Sequence, residues 1–271
     1  MLSVSFQGEH GAYSESAALR YFKVRIKTVS LKTFADVLRS TDDKKTDYSI
    51  LPIENSIEGG VGESYDLLYH TPLNAIGEIY HRIEHCLIGL SKIDEIDTIY
   101  SHPQALGQCR QFIQKYNWKS IPTYDTAGSV KLIKKMNKNN VCCIASETAA
   151  KIFDLPVIKY CIADHSNNYT RFLILSKSQS HKTGNDKTSI IFSTLHKPGA
   201  LYKIIKIFHD QNINLTKIES RPKKCNVGEY NFYVDFDGHI NEQRIKTIID
   251  DITKNTIFLK IIGSYPTAKL M

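Results

Sequence analysis

The chain has 271 residues, 42% hydrophobic and 23% charged, with 35 Lys+Arg against 28 Asp+Glu for a formal charge of +7. That length supports a sizeable core and about two domains, and the composition is that of an ordinary globular protein. No apolar run approaches the ~20 residues of a membrane span, the start MLSVSFQGEHGAYSE lacks a basic segment followed by an apolar one, and the lysines are spread without interleaved aromatics, so a membrane protein, a secretory leader and a nucleic-acid surface are excluded and a cytosolic location is expected.

In chain order, the first strand begins at once, from Leu2 to Phe6. TFADVLRS (33–40) opens with the T-x-x-D pattern of a helix cap. DYSILPI (47–53) and TIYS (98–101) read as strands. HPQALGQCRQFIQKYN (102–117) reads as one helix with Pro103 in its first turn and Ala105, Cys109, Phe112, Ile113 and Tyr116 on one face. DTAGSVKLIKKM (125–136) starts a helix with Asp125 or Thr126 as cap; VCCIAS (141–146) is a strand, and SETAAKIF (146–153) is a helix following without a gap. Phe172 to Leu175 form a short strand, with Asn167-Asn168 before it as a turn. The pattern predicts helices on a largely parallel sheet.

The polar stretch SKSQSHKTGNDK (176–187) reads as a linker. It divides the chain into residues 1–177, a linker at 178–187 and a second region at 188–266. In that second region KTSIIFSTL (187–195), NLTKIESRP (214–222), GEYNFYVDF (228–236) and TIFLKIIGSYP (256–266) read as strands, while GALYKIIKIFHDQ (199–211) and INEQRIKTIIDDIT (240–253) read as amphipathic helices. The order β-α-β-β-α-β is the ferredoxin-like arrangement, which carries no function by itself.

Chemistry-bearing residues collect where upstream strands end. Ser14 follows the GEHG loop, Glu54-Asn55-Ser56 follow DYSILPI with Gly59 and Gly60 behind them, Ser101-His102 and Ser146 end strands, and Thr170-Arg171 stand at the mouth of FLIL. In open α/β sheets ligands bind at such ends, where helix N-termini present free N–H groups to anions. Singly, each has a plainer use: Ser14 as an N-cap, Asn55 and Ser56 as turn formers, His102 as a cap, Glu54 and Arg171 as an ion pair. Adjacent strand residues point to opposite faces, so Thr170 and Arg171 cannot both face a cleft unless the backbone is irregular there. The glycines fit neither nucleotide-binding pattern, and no serine-hydrolase elbow is present. None of the six cysteines forms a C-x-x-C pair or sits at metal spacing with a histidine, so Cys142-Cys143 reads as reduced packing residues.

GEHGAYSESAA (8–18), LPIENSIEGGV (51–61), SHPQALGQC (101–109), IASETAA (144–150) and NYTRF (168–172) stand in the order found in prephenate dehydratases, and the region from 188 resembles an ACT domain through HKPGALY (196–202) and IESRP (218–222). The resemblance covers nearly the whole chain. It implies an α/β fold: a two-lobed, type-2 periplasmic-binding-protein-like catalytic region plus a C-terminal ferredoxin-like βαββαβ ACT domain. Lobe 1 would span about 1–80 and 160–177, and lobe 2 about 81–159. It implies loss of CO₂ and water from prephenate to give phenylpyruvate, without cofactor or metal, and regulation by L-phenylalanine in a homodimer or homotetramer. Arogenate dehydratase and a non-catalytic amino-acid-binding regulator are the alternatives.

Carried onto this sequence, the resemblance makes Thr170 the donor to the leaving hydroxyl, with Asn55 and Ser56 as its supporting network. Ser14, Glu54, Ser101, His102, Gln104, Arg171 and Phe172 would contact substrate. If only one of Thr170 and Arg171 faces the cleft, it is Thr170, and Arg171 pairs instead, as with Glu54. Gly199, Ala200, Leu201, Asn214, Leu215, Glu219 and Ser220 would meet phenylalanine between subunits, and Arg221-Pro222 reads equally as a strand-end turn. Glu9, Val130 and Tyr202 depart from the usual pattern, Tyr202 within an effector motif. Some relatives carry a chorismate mutase domain in front; with a strand beginning at Leu2, that activity is not expected here.

Overall fold

The structure, a computed structural model, describes residues 1–223 and 229–269; Cys225, one of the six cysteines, and Gly228, the first residue of GEYNFYVDF, lie outside them. In chain order the elements are β1 (Ser3–Gln7), α1 (Tyr13–Tyr21), β2 (Lys27–Leu31), α2 (Phe34–Asp42), β3 (Tyr48–Asn55), β4 (Gly59–Gly60), α3 (Gly62–His70) and β5 (Asn74–Arg82). After these come β6 (Cys86–Gly89), β7 (Thr98–Ser101), α4 (Pro103–Gln108), α5 (Arg110–Lys115), β8 (Lys119–Pro122), α6 (Thr126–Met136), β9 (Val141–Ala145), α7 (Glu147–Ile152) and β10 (Val157–Lys159). Last are β11 (Tyr169–Ser176), β12 (Asp186–Ser193), α8 (Ala200–Asp210), β13 (Leu215–Pro222), β14 (Tyr230–Asp237), α9 (Gln243–Lys254) and β15 (Phe258–Pro266).

Three sheets result, with strand orders β2-β1-β3-β11-β5, β10-β6-β9-β7-β8 and β13-β14-β12-β15. The chain leaves the first sheet after Arg82, enters the second at Cys86, and re-enters the first at Tyr169 as a strand between β3 and β5. The expected largely parallel sheet is half right. β1 runs parallel to β2 and β3, and β7 to β8 and β9, but β11 is antiparallel to both its neighbours, as are β6 and β10 to theirs. Strands that arrive from the other lobe enter from the opposite end, and short apolar runs carry no mark of direction.

The helix expected over 102–117 is broken at Cys109 (φ −115°, ψ 22°). Asp164 explains the break: its N–H donates to the Gln108 carbonyl and its carboxylate accepts from the Gln111 N–H, taking two bonds of the helical ladder. The expected face still packs, with Ala105, Cys109 and Ile113 buried beside Phe112 and Tyr116. The caps at Thr33, Asp125 and Ser146 form, each accepting from a backbone N–H three residues on. Cys142 and Cys143 are free thiols that pack on opposite faces of β9.

The first sheet is buried on both sides. Phe172 and Ile174 of β11 pack with Val4, Phe6 and helix α1 on one face. Leu173 and Leu175 pack on the other face against Ile191, Tyr233, Ile262 and Tyr265 of the third sheet. The third sheet carries α8 and α9 on its far side, through Ile204, Phe208, Ile245, Ile248 and Ile252. Its β15 reaches into the first domain, where Lys260 Nζ donates to the carbonyls of Leu68, Tyr69 and Thr71 at the end of α3. A cation there satisfies orphan carbonyls and complements the helix dipole. Gly263 lies so close to β5 that a Cβ on it would overlap the Ala75 backbone. Gly263→Ala is therefore expected to cost about 1–3 kcal/mol through forced separation of the two sheets, measured as a lowered urea midpoint in a protein that keeps its circular dichroism spectrum.

Candidate active site

The cleft between the first two sheets encloses a cavity of about 590 Å³. Its walls come from element ends in both lobes: the β1–α1 loop, the β2–α2 loop with Lys32 to Phe34, the 58–63 loop after β3, the start of α4, and the start of α6 with Tyr124 to Thr126. Contacts across the mouth join the lobes. Ser146 donates to the Gly11 carbonyl at 2.7 Å, and Tyr124 donates to the Lys32 carbonyl at 2.5 Å. Gly11 (φ +92°) touches Ala149 so closely that a side chain there would collide with the Ala149 backbone.

Ser14, Asn55, His102, Gln104, Thr170 and Phe172 all line this cavity, as expected. Ser14 is not a cap; it sits in the first turn of α1, whose N-cap position is Ala12 without a side-chain bond. His102 lines the cavity and also caps α4, its Nδ1 accepting from the Gln104 N–H at 3.3 Å. Burial holds His102 below the ordinary histidine pKa.

Four expected residues are elsewhere. Ser101 is fully buried and donates to the Ile144 carbonyl at 2.7 Å, so its role is to tie β7 to β9. Ser56 donates to the Asn167 carbonyl and accepts from the Tyr169 N–H, clamping the entry to β11 without touching Thr170. Arg171 is 2% exposed and points away from the cleft, with Nε 2.6 Å from Glu78 and Nη1 2.5 Å from Asp235. Glu54 shares that face, 2.9 Å from Lys217 and 3.8 Å from Arg171.

A bulge explains Glu54 and Asn55 together. Arg171 pairs with Glu54 and Phe172 with Pro52, so Ile53 is an extra residue in β3. Pro52 faces the cavity, while Ile53 packs on the opposite face and Glu54 lies there too. Strict alternation would have put Asn55 on that back face. The extra residue turns it into the cleft beside Thr170.

There a buried polar chain is laid out with one direction. Asn55 Oδ1 accepts from the N–H groups of Ile57 and Glu58, so Nδ2 must donate, and it does so to Asn168 Oδ1 (2.7 Å) and Thr170 Oγ1 (3.0 Å). Asn168 Nδ2 then donates to Gln108 Oε1 at 2.7 Å, and Gln108 Nε2 reaches Glu58 at 3.3 Å. Gln108 Oε1 also meets His85 Nε2 at 2.8 Å, and the Tyr13 hydroxyl, which donates to the Glu84 carbonyl at 2.8 Å, lies 3.0 Å from His85 Nδ1. Burial keeps this histidine neutral by lowering its pKa, against the opposing pull of Gln108. Thr170 receives a hydrogen bond from Asn55, so its own proton is left for an acceptor in the cavity.

Gln108, Asn168, His85 and Tyr13 were not singled out from sequence. Gln108 had a signal: it stands four residues after Gln104 on one helical face and inside a motif already noted. Asn168 had none, since a buried network asparagine and a turn former look alike before the fold is known. Among the described residues no cluster could hold a metal ion, and no helix is long and apolar enough to cross a membrane.

In the C-terminal domain, Ala200 and Leu201 line a second cavity of about 120 Å³ with Leu195, His196 and Tyr230. Gly199 (φ +77°) holds the left-handed N-cap position of α8, a conformation that favours glycine. Asn214 donates to Asp237 at 3.3 Å, and Leu215 is partly buried at the start of β13, where it packs against the core under α8 and α9. Ser220 is exposed, whereas Glu219 is turned toward the catalytic domain, where a Cβ on Gly60 would meet its carboxylate at 3.3 Å. Glu219 is thus removed from the face that Ser220 presents, a second consequence of strand alternation.

These features define a small-molecule enzyme of the two-lobed α/β, periplasmic-binding-protein-like class, carrying a ferredoxin-like domain on the back of one lobe. The prephenate dehydratase family model matches residues 4–180 and the ACT domain model matches residues 188–253. The prephenate dehydratase of Methanocaldococcus jannaschii is 38% identical over 94% of this chain and 95% of its own. Among solved structures, a prephenate dehydratase from Arthrobacter aurescens in complex with L-Phe has a TM-score of 0.88 at 26% identity, covering 98% of this chain and 90% of that one. A chain described as a novel type of quorum quenching acylase has the same TM-score at 28% identity, covering 98% of both. The chain belongs to the prephenate dehydratase family.

Removal of the Asn168 side chain strands a donor of Asn55 and an acceptor of Gln108, so Asn168→Ala is expected to lose about 1–3 kcal/mol in urea unfolding, where the neighbouring Asn167→Ala changes stability by less than about 0.5 kcal/mol. The buried rings also set a pH dependence. His81, with Nδ1 unpaired, is lowered by burial and then Arg20 to about 4, and His85 is lowered by burial. Both bind protons more readily in the unfolded chain, so their stability contribution is complete above about pH 6.5 and declines as pH falls below it, for His81 down to about 4. His81→Gln is expected to flatten the decline of the urea midpoint across that window relative to wild type.

Proposed function

We propose that this chain converts prephenate to phenylpyruvate, carbon dioxide and water in the interlobe cavity, with residues 1–177 as the catalytic region. The observation that carries the assignment is the Thr170 hydroxyl, which accepts from Asn55 and so keeps its proton for the cavity. In the reaction the bond from the ring to its carboxylate breaks, its electron pair moves through the ring, and the bond to the ring hydroxyl breaks as the ring becomes aromatic. Carbon dioxide leaves neutral, and the departing hydroxide becomes water by taking one proton, supplied in net by the solvent.

Thr170 supplies a hydrogen bond that strengthens as charge builds on that oxygen, the kind of interaction that favours the transition state over the ground state. A threonine hydroxyl is a weak acid, and the polar chain behind it supports its orientation rather than its acidity. Phe172 offers an apolar wall beside the ring. The substrate is a dianion, and Lys32 is the only lysine or arginine among the described residues that line the cavity. Lys32 and the N-terminal turns of α1 and α6, with Ser14 and Thr126, are the groups we assign to its carboxylates. The Gln104 and His102 side chains complete the wall.

For the C-terminal domain we propose L-phenylalanine as effector, at a site formed by Gly199, Ala200 and Leu201 with Asn214, Leu215 and Ser220 of a partner subunit. The relative crystallised with L-Phe supports this, as does the small cavity beside Ala200 and Leu201. Tyr202, Ile205, Ile218 and Tyr230 are exposed on this domain, apolar surface that favours a homodimer or homotetramer.

The decisive assay follows phenylpyruvate formation from prephenate, with arogenate in parallel and with and without L-phenylalanine. Prephenate turnover suppressed by L-phenylalanine is expected. Preference for arogenate would reassign the substrate, and turnover of neither would reject the activity. Thr170→Ala is expected to lower kcat by about 10²–10⁴-fold in a protein that keeps the wild-type circular dichroism spectrum and a cooperative urea transition; retained turnover would remove Thr170 from the mechanism.

A further inference from the structure

Where the first and third sheets meet back to back, the centre of the contact is charged. Arg171, Lys187 and Lys217 face Glu54, Glu78 and Asp235, three cations against three carboxylates. Glu54, Glu78 and Arg171 come from β3, β5 and β11, the three neighbouring strands around the cleft. Lys187, Lys217, Asp235 and Tyr265 come one each from β12, β13, β14 and β15. Every nitrogen of the Arg171 guanidinium is used: Nε by Glu78 at 2.6 Å, Nη1 by Asp235 at 2.5 Å and Nη2 by the Tyr265 hydroxyl at 3.1 Å. Asp235 also takes the Ser189 hydroxyl on its other oxygen at 2.5 Å, and Glu78 takes Lys187 at 2.8 Å.

A buried ion cluster is a poor source of net stability, because desolvation offsets most of the attraction. Its strength is geometric. A planar fork held by three partners allows one placement, and displacement of any partner leaves a charge unpaired in a dry interior. Arg171 is also the residue next to Thr170, on a strand whose alternate side chains face the cleft and the C-terminal domain. A shift of β14 that carries Asp235 pulls on the guanidinium, and the nearest place for β11 to yield is the Thr170–Arg171 backbone beside the β3 bulge. The Asn55–Thr170 hydrogen bond is on the other side of that backbone.

We propose that the Arg171–Asp235 pair is the positioning link through which the C-terminal domain sets the placement of the Thr170 hydroxyl, so that a ligand of that domain is read out at the leaving-group donor. Arg171 is a positioning residue here, since it touches neither the cavity nor substrate. The regulatory half rests on the L-phenylalanine reading above, and it obeys linkage: L-phenylalanine can alter turnover by this route only by favouring one arrangement of the pair over another.

The test uses the full chain with Asp235→Asn and, separately, Tyr265→Phe. Three things are measured: kcat and KM for prephenate, L-phenylalanine binding by calorimetry, and amide hydrogen exchange over residues 169–176. Asp235→Asn is expected to lower kcat by about tenfold with KM within about twofold, and to speed exchange in β11. Its affinity for L-phenylalanine is expected to stay within about threefold of wild type while the effect of the bound effector on kcat shrinks at least about fivefold.

Wild-type kcat, wild-type response to the effector and wild-type exchange in β11 would overturn the link. A fall in kcat matched by loss of L-phenylalanine binding would also overturn it, since a general loosening of the domain does that. If Asp235→Asn does not fold, Tyr265→Phe decides, because it removes one neutral partner and strands no charge; a response equal to wild type there rejects the proposal. Wild type that turns over prephenate but does not bind L-phenylalanine fails the effector reading alone, and the kcat–KM split and β11 exchange then judge the link. Wild type without turnover fails the catalytic reading, and the exchange measurement still judges the link.

Discussion

One strand, β11, presents successive residues to two different environments, and the organisation of the protein follows from that. Thr170 and Phe172 face the interlobe cavity while Arg171, Leu173 and Leu175 face the C-terminal sheet. The strand lies between β3 and β5 and has no free edge, so its backbone groups are committed on both sides. Side chains alternate because the backbone is pleated, and a single sheet therefore serves as the floor of the cleft and as the wall that meets the C-terminal sheet. The bulge at Ile53 makes the neighbouring strand fit the same division, with Glu54 behind the sheet and Asn55 in front.

The polar chain from Tyr13 to Thr170 belongs to the buried side of this arrangement. The backbone N–H groups of Ile57 and Glu58 settle its direction at Asn55. Such a chain carries high stakes in a low-dielectric interior, because each missing partner leaves an uncompensated group. It also spans the lobes: Gln108 and His85 belong to the second lobe or its entrance, and Asn55 and Thr170 to the first. The Thr170 hydroxyl is thus held by a network whose members come from both lobes.

The C-terminal domain reaches the cleft at a second place. The 58–63 loop lines the cavity, and its outer side meets β13, with a Cβ at Gly62 falling 2.8 Å from the Arg221 guanidinium. The same alternation operates there: Lys217, Glu219 and Arg221 are partly buried on the catalytic side while Ile218 and Ser220 are exposed. The motif IESRP therefore divides between two surfaces, which a reading of the motif as a single ligand site could not show.

The elements of the second region, and β1, α2, β3, β7, α6, β9, α7 and β11 of the first, were legible because they depend on local periodicity and on caps such as Thr33, Asp125 and Ser146, whereas α1, β2, α3, β5, β6, β8 and β10 were not anticipated. The family was legible because its motifs occur in order along nearly the whole chain. That Thr170 and Arg171 would not share a face followed from the pleat of a strand, while the choice of Thr170 as the residue in the cleft came from the resemblance. What stayed hidden were choices made by partners distant in sequence. Asp164 breaks the helix at Cys109, and Asn168 is buried by Asn55 and Gln108 rather than left in a turn. Ser101 is turned into the wall by Ile144, and Glu54 is carried behind the sheet by one extra residue in β3. The sequence by itself determined the elements, their order and the residue types available for chemistry, because these rest on short-range geometry and composition. Only the tertiary structure decided which face each residue takes and which partner it meets, because register, bulges and buried hydrogen bonds join residues 43 to 190 positions apart.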